Sequence, residues 1–171
     1  MRRFVDPQAR WRLRRYLTDL AGEDDPRNVA WRLRGRADQL VRRFAHPSVV
    51  APLVDDPRSV VSGADGAVAH GADLVPDDLV DAYVAPDDLD DLIVDHGLID
   101  AGGDTNVRLR VVDGPVMRQR PEGRSVPASS GHVAPRLLVV ADLAERDDAR
   151  AKLAAQALWS LLRDRLEALP A

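Results

Sequence analysis

Residues 136–162 read RLLVVADLAERDDARAKLAAQALWSLL, and this stretch decides the fold class. The run RLLVV is continuously apolar, as expected for a central strand. The segment from Asp147 to Leu169 then has apolar residues at helical spacing, and it predicts a long final helix. Its predicted buried face carries Ala154, Leu158, Leu161 and Leu162. A strand that leads at once into a helix indicates a domain that mixes strands and helices.

Four carboxylates lie between this predicted strand and the final helix: Asp142, Glu145, Asp147 and Asp148. Asp147 and Asp148 begin the helix, where acidic side chains accept hydrogen bonds from free N–H groups and complement the helix dipole. Asp142 follows the apolar run directly, and it is predicted to turn the chain. The alternative is a small metal-dependent hydrolase that uses Asp142, Glu145 and Asp148, since converging carboxylates bind catalytic metals.

Two Arg-rich segments precede this part of the chain, and both predict helices. Residues 7–22 place Leu13, Tyr16, Leu17 and Leu20 at helical spacing. Residues 27–47 predict a second helix, capped near Asp25 and stopped by Pro47. The apolar stripe of this second helix is predicted to carry Leu33, Ala37, Leu40, Val41 and Phe44.

The middle of the chain alternates between short strand patterns and short helix patterns. Strands are predicted in RSVVSG (58–63), LVDAYVA (79–85) and NVRLRVVDG (106–114), and the last of these alternates with one face expected to be wet. Helices are predicted in ADGAVAHGA (64–72) and PDDLDDLIVDHG (86–97). The stretch from Gln119 to His132 has no periodicity and predicts a loop.

The fold class is therefore α/β (or α+β), with a small mixed sheet, packed helices and a basic helical pair in front of them. The predicted domains are an Arg-rich helical arm over residues 1–57 and an α/β domain over residues 58–171.

Charge is distributed unevenly along the chain. Residues 1–43 carry 12 Arg and 6 acidic residues, whereas residues 59–107 carry 12 Asp and neither Lys nor Arg. Arg32, Arg36 and Arg43 are predicted to lie on one face of the second helix, opposite its apolar stripe. Clustered cations with an aromatic residue nearby are typical of phosphate binding. The predicted binding residues, for nucleic acid or for a protein partner, are Arg10, Arg14, Trp31, Arg32, Arg36 and Arg43. A solvated helix face in an Arg-rich protein is the alternative interpretation.

Several classes of site are disfavoured by composition and motifs. The chain has no cysteine, which excludes disulfides and thiolate metal sites. The four histidines form no H-x-x-x-H or H-x-E pair, and the serines lack a G-x-S-x-G elbow. We therefore expect no catalytic residue, no metal and no cofactor. No apolar run approaches the roughly 20 residues of a membrane span, so we expect a cytoplasmic protein with no membrane partner.

Four segments resemble the C-terminal domain of AbiEi-type antitoxins, the antitoxin-regulators of type IV toxin–antitoxin systems. They occur in the family's order and at similar spacing over about residues 58–160. The segments are VVSGADGAVAHGADLVP (60–76), VDAYVAPDDLDDLI (80–93), NVRLRVV (106–112) and VAPRLLVVADLAERDDARAKLAAQAL (133–158). The resemblance implies that Asn106, Asp142 and Arg150 belong to a structural signature without a catalytic role. Asp142 would fix a turn, and Arg150 would fix the start of a helix.

The resemblance also sets the functional expectation. Family members usually begin with a winged helix-turn-helix that binds the operon's promoter, and residues 1–57 lack that pattern, so promoter binding is not carried over. We expect a non-enzymatic antitoxin-like or regulatory protein of a defence system, acting in transcriptional regulation or on a partner. The expected partners are DNA, bound by the N-terminal arm, and a nucleotidyltransferase-type toxin or a winged-helix subunit. A scaffold subunit that docks on another protein is a further alternative.

Overall fold

The computed structural model describes residues 7–114, 117 and 132–168, without the side chains of Pro7, Ala9 and Arg10. The predicted loop from Gln119 to His132 lies outside the described residues, apart from His132 itself. The described helices are α1 (Pro7–Ala21), α2 (Pro26–Arg32), α3 (Pro47–Val54), α4 (Gly63–Ala69), α5 (Leu89–Asp95), α6 (Arg136–Ala144) and α7 (Ala149–Glu167). A 3₁₀ turn, Pro86–Asp88, leads into α5. The described strands are β1 (Gln39–Arg43), β2 (Val60–Val61), β3 (Val80–Val84), β4 (Val107–Val111) and β5 (His132–Val133).

The five strands form one mixed sheet in the order β1-β4-β3-β2-β5. β1 pairs antiparallel with β4, β4 pairs parallel with β3, β3 pairs antiparallel with β2, and β2 pairs parallel with β5. The structure therefore confirms an α/β class with helices packed on a small mixed sheet. β1 precedes the predicted domain boundary at residues 57 and 58, and its partner β4 follows that boundary.

Both faces of the sheet are covered, and each face has its own apolar core. Side chains alternate between the faces of a strand, so neighbouring residues of β3 join different cores. Tyr83 packs with α4, α6 and α7 on one face. Ala82 and Val84 pack with α3 and α5 on the other face. α6 therefore lies directly over the face of the sheet that carries the Tyr83 side chain.

The second predicted helix is wrong beyond Arg32. Residues 39–43 form β1 instead, and Pro47 begins α3 rather than stopping a helix. Local helix propensity is overridden here because β1 gains a five-residue antiparallel ladder with β4. The predicted stripe from Leu33 to Phe44 therefore does not lie on one helix face.

The predicted central strand RLLVV is also wrong, since these residues begin α6. Pro135 occupies the N-cap position, and every residue from Val139 to Ala144 is buried. A short apolar run does not distinguish a buried strand from a helix packed on several sides. Asp142 therefore lies in the interior of a helix and not at the end of a strand.

Most of the remaining predicted segments agree with the structure, with local exceptions. The segments predicted as β2, α4, β3 and α5 are confirmed in type, and Asp25 caps α2 by accepting from the Arg27 N–H. β4 has no wet face, since its residues are buried or half-buried. In α7, Ala154 and Leu158 are buried as predicted, whereas Leu161 is exposed.

Candidate functional site

The carboxylate of Asp142 lies fully buried between α6 and the sheet, where three side chains donate hydrogen bonds to it and Arg110 forms an ion pair with it. Arg36 Nε lies 2.8 Å from Oδ1, and Arg110 Nε lies 3.0 Å from the same oxygen. The Tyr83 hydroxyl donates to Oδ1 at 3.2 Å, and the Ser62 hydroxyl donates to Oδ2 at 2.5 Å. Tyr83 belongs to β3 and Arg110 belongs to β4. Ser62 directly precedes α4, and Arg36 lies between α2 and β1. Asp142 therefore connects four separate segments of the chain to α6.

Two further carboxylates complete this arrangement, which we call the ion-pair cluster: Arg36, Asp81, Arg110, Asp142 and Glu145. Glu145 accepts from Arg36 Nη1 at 2.9 Å and from Arg110 Nη2 at 3.1 Å. Asp81 accepts from Arg110 Nη1 at 3.0 Å. Charge-assisted hydrogen bonds from planar guanidinium groups are among the strongest polar contacts in proteins. Each carboxylate of the cluster is therefore directly engaged by an arginine.

Burial and ion pairing act in opposite directions on the pKa values of the cluster. Burial raises the pKa of Asp142, and the charges of Arg110 and Arg36 oppose that shift. Burial also favours a raised pKa of Glu145, but the hydrogen bonds and charges of Arg36 and Arg110 outweigh it and hold that pKa below its usual value. Burial raises the pKa of Tyr83, so its hydroxyl stays protonated and donates to Asp142.

The alternative of a metal-dependent hydrolase needs Asp142, Glu145 and Asp148 to converge. Asp148 instead caps α7, where it accepts from the backbone N–H groups of Arg150 and Ala151 at 3.1 Å each. Among the residues that the structure describes, no group of three or more His, Asp or Glu side chains is arranged to hold a metal ion. Asp142 and Glu145 are therefore both paired with Arg36 and Arg110, whereas Asp148 is engaged by the start of α7.

The other two residues of the expected signature occupy structural positions. The Asn106 side chain accepts from Ala45 N at 2.7 Å and donates to Ala45 O at 2.9 Å, which fixes the start of β4 against the end of β1. Arg150 is the second residue of α7, and its N–H donates to the cap residue Asp148. Asp142 lies inside α6, so the expectation that it fixes a turn is wrong.

The arginines predicted to form one helix face are separated in the structure. Arg32 ends α2 and pairs with Glu23, and Arg43 lies on β1 with Asp100 at 3.9 Å. Arg36 belongs to the ion-pair cluster, and only 6% of its side chain is exposed. The prediction that Arg32, Arg36 and Arg43 share a surface is therefore wrong, because the helix ends before Arg36.

The N-terminal helices carry two exposed tryptophan–arginine pairs. Trp11 of α1 is 60% exposed, and Trp31 of α2 is 65% exposed. The guanidinium carbon of Arg15 lies over the Trp11 ring at 5.6 Å, and that of Arg34 lies over the Trp31 ring at 4.2 Å. Arg14 of α1, a predicted binding residue, is exposed beside the first pair.

We call the exposed set Trp11, Arg12, Arg14, Arg15, Trp31 and Arg34 the arginine–tryptophan surface. The sequence prediction included Arg14 and Trp31 but missed Trp11, Arg12, Arg15 and Arg34. The signal was present in the spacing, since Arg15 follows Trp11 by four residues and Arg34 follows Trp31 by three. Arg10 was also predicted, and its side chain lies outside the described part of the chain.

Comparison of the chain with protein-family models, with curated proteins and with solved structures finds no match. The similarity to AbiEi-type antitoxins therefore stays a prediction from the four sequence segments. Across residues 7–114, 117 and 132–168, no helix combines the length and the apolar character that are needed to cross a membrane.

Proposed function

We propose that the protein is a non-enzymatic, antitoxin-like regulator that binds nucleic acid through the arginine–tryptophan surface. The observation that carries this proposal is the exposure of Trp11 and Trp31, each beneath an arginine guanidinium. Large aromatic side chains are costly to leave in water, and exposed apolar groups beside cations are a feature of binding sites. In this proposal the protein acts in the cytoplasm, within a toxin–antitoxin or defence system.

The charge environment of the surface supports a polyanionic ligand. Within the described residues, no carboxylate pairs with Arg12, Arg14, Arg15 or Arg34, whereas Arg27 and Arg32 have acidic partners. Unpaired arginines keep their full charge for phosphate groups, and bound phosphates release counterions from the nucleic acid. The free cations of α1 are therefore the residues that we expect to contact the backbone of the ligand.

The ion-pair cluster supports the non-enzymatic part of the proposal. A general acid or base needs a pKa near the working pH and access to substrate. Asp142 is fully buried, and Glu145 is bound by two guanidinium groups that favour its charged form. These residues are better suited to hold α6 on the sheet than to transfer protons.

A protein partner is the second candidate, and helix α5 favours it. Val94 is 76% exposed there and lies among the exposed acids Asp87, Asp90 and Asp91. An exposed apolar residue within an acidic face fits a basic protein surface. In this candidate the partner is a nucleotidyltransferase-type toxin or a winged-helix subunit.

The test of nucleic-acid binding removes three charges from α1. We expect the variant Arg12→Gln/Arg14→Gln/Arg15→Gln to bind a labelled duplex from the gene's upstream region at least 10-fold more weakly at low salt than the natural protein. The slope of log affinity against log salt concentration should also fall by about 2–3, since each phosphate contact contributes about 0.9. Fluorescence anisotropy over a salt series measures both quantities.

A matched control removes three exposed charges from α7, as Arg150→Gln/Lys152→Gln/Arg165→Gln. This control should keep the natural slope because these residues lie outside the arginine–tryptophan surface. Equal loss of affinity in both variants would show that only the net charge matters. Absence of binding by the natural protein to duplex and to single strands would overturn the proposal and leave the protein partner.

A further inference from the structure

We infer that the preferred ligand of the arginine–tryptophan surface is a single-stranded nucleic acid whose bases stack on Trp11 and Trp31. This inference rests on the proposed function and names the form of nucleic acid that it concerns. Three features of the surface support it: the exposure of the rings, the position of the arginines and the placement of the two rings on neighbouring helices.

The exposure of the two rings distinguishes them from the third tryptophan. Trp159 is fully buried in the core, and its Nε1 donates to Glu23 O at 2.7 Å. Neither Trp11 nor Trp31 has such a role in the core, since more than half of each side chain is exposed. An exposed indole ring offers a flat surface on which a base of any identity can stack.

The arginines place a positive charge beside each tryptophan ring. Arg34 lies over Trp31 at 4.2 Å, which is close enough for a cation–π contact that orders both side chains. Arg15 lies over Trp11 at 5.6 Å. A base that stacks on the exposed part of either ring then has a guanidinium group near its phosphate. Stacking platforms beside cations are the usual construction of single-strand sites.

The two rings lie on neighbouring helices. The Tyr16 hydroxyl of α1 contacts Arg32 O, next to Trp31, at 3.5 Å. Trp11 precedes Tyr16 by five residues, or about 7–8 Å of helix rise. Residues 11–16 are exposed on all sides, so this part of α1 is accessible around its whole circumference. A strand of about 4–16 nucleotides, the usual size of a single-strand site, is long enough to reach both rings.

A duplex cannot stack on the exposed tryptophan rings as readily as a single strand can. Its base faces are covered by their neighbours, and a protein must unstack or flip a base before an aromatic ring can reach it. A duplex therefore gains the charge of Arg12, Arg14, Arg15 and Arg34 without stacking on the tryptophans. The surface should bind single strands more tightly than duplexes of the same sequence and length.

The experiment measures binding of the full chain to 12-nucleotide single strands, as DNA and as RNA, and to the corresponding duplex. We expect at least 10-fold tighter binding of one or both single strands. Trp11→Leu and Trp31→Leu should each weaken single-strand binding about 5- to 100-fold, from the usual effect of losing one stacked base. Duplex binding should change less than 2-fold in both variants.

The control variant is Leu153→Ala, which removes an exposed apolar side chain from α7 and should leave all affinities unchanged. Equal binding of single strands and duplex, with no effect of either tryptophan variant, would overturn this inference and leave the proposed function standing. If neither form binds, the proposed function fails as well. The DNA and RNA arms show which sugar the surface prefers.

Discussion

Replacing Asp142 by Asn is expected to lower the free energy of unfolding by about 3–5 kcal/mol. The substitution keeps the shape of the side chain but removes the charge that balances Arg36 and Arg110. Both guanidinium groups are almost fully removed from water, so they keep the cost of burial and lose their main partner. Natural domains have a total stability of about 5–15 kcal/mol, so the variant should be close to unfolding.

Urea denaturation measures this effect, with the slope of the transition as a check on two-state unfolding. Glu145→Gln is the matched control, because 37% of the Glu145 side chain is exposed and water can replace part of its contacts. It should cost clearly less than Asp142→Asn. Natural stability in Asp142→Asn would show that the ion-pair cluster does not hold the fold together.

Replacing Trp159 by Ala is expected to lower the free energy of unfolding by about 3–5 kcal/mol. Trp159 is among the largest fully buried side chains of the described residues. It extends from α7 into the apolar core that also contains Tyr83. The substitution leaves a cavity, and it also removes the hydrogen bond to Glu23 O, between α1 and α2. The effect should therefore combine lost packing with a loosened N-terminal pair of helices.

The control for this prediction lies two residues away. Leu161→Ala removes an exposed side chain of the same helix and should change stability by less than about 0.5 kcal/mol. Urea transitions of both variants are measured under the same conditions. A similar small effect in both would contradict the position of Trp159 in the core.

Short patterns predicted the parts of the fold that depend on neighbouring residues. The small-residue helix α4, the strand around Tyr83 and the acidic helix α5 all follow from local residue spacing. β1 was missed because its identity depends on pairing with β4, more than 60 residues further along the chain. The run RLLVV was misassigned because burial on several sides produces the same apolar pattern in strand and helix.

The candidate sites show the same difference between contacts of neighbouring residues and contacts of residues far apart in the chain. Arg36 looked like an exposed binding residue because its partners, Asp142 and Glu145, follow 106 and 109 residues later. No local pattern indicates such a pairing. Arg34 and Trp31 are three residues apart, so this contact was available from the sequence. Reading the spacing between aromatic and basic residues would have found both tryptophan–arginine pairs.

The variants Arg34→Gln and Arg36→Gln separate the two predicted roles of arginine, one in the arginine–tryptophan surface and one in the ion-pair cluster. For each variant, the affinity for a labelled 12-nucleotide strand and the urea unfolding transition are measured together. We predict that Arg34→Gln lowers the affinity and leaves stability unchanged, because its guanidinium lies on the exposed Trp31 ring. We predict that Arg36→Gln lowers stability, and that its folded fraction binds as the natural protein does. Loss of affinity at natural stability in Arg36→Gln, together with no effect of Arg34→Gln, would contradict both predicted roles.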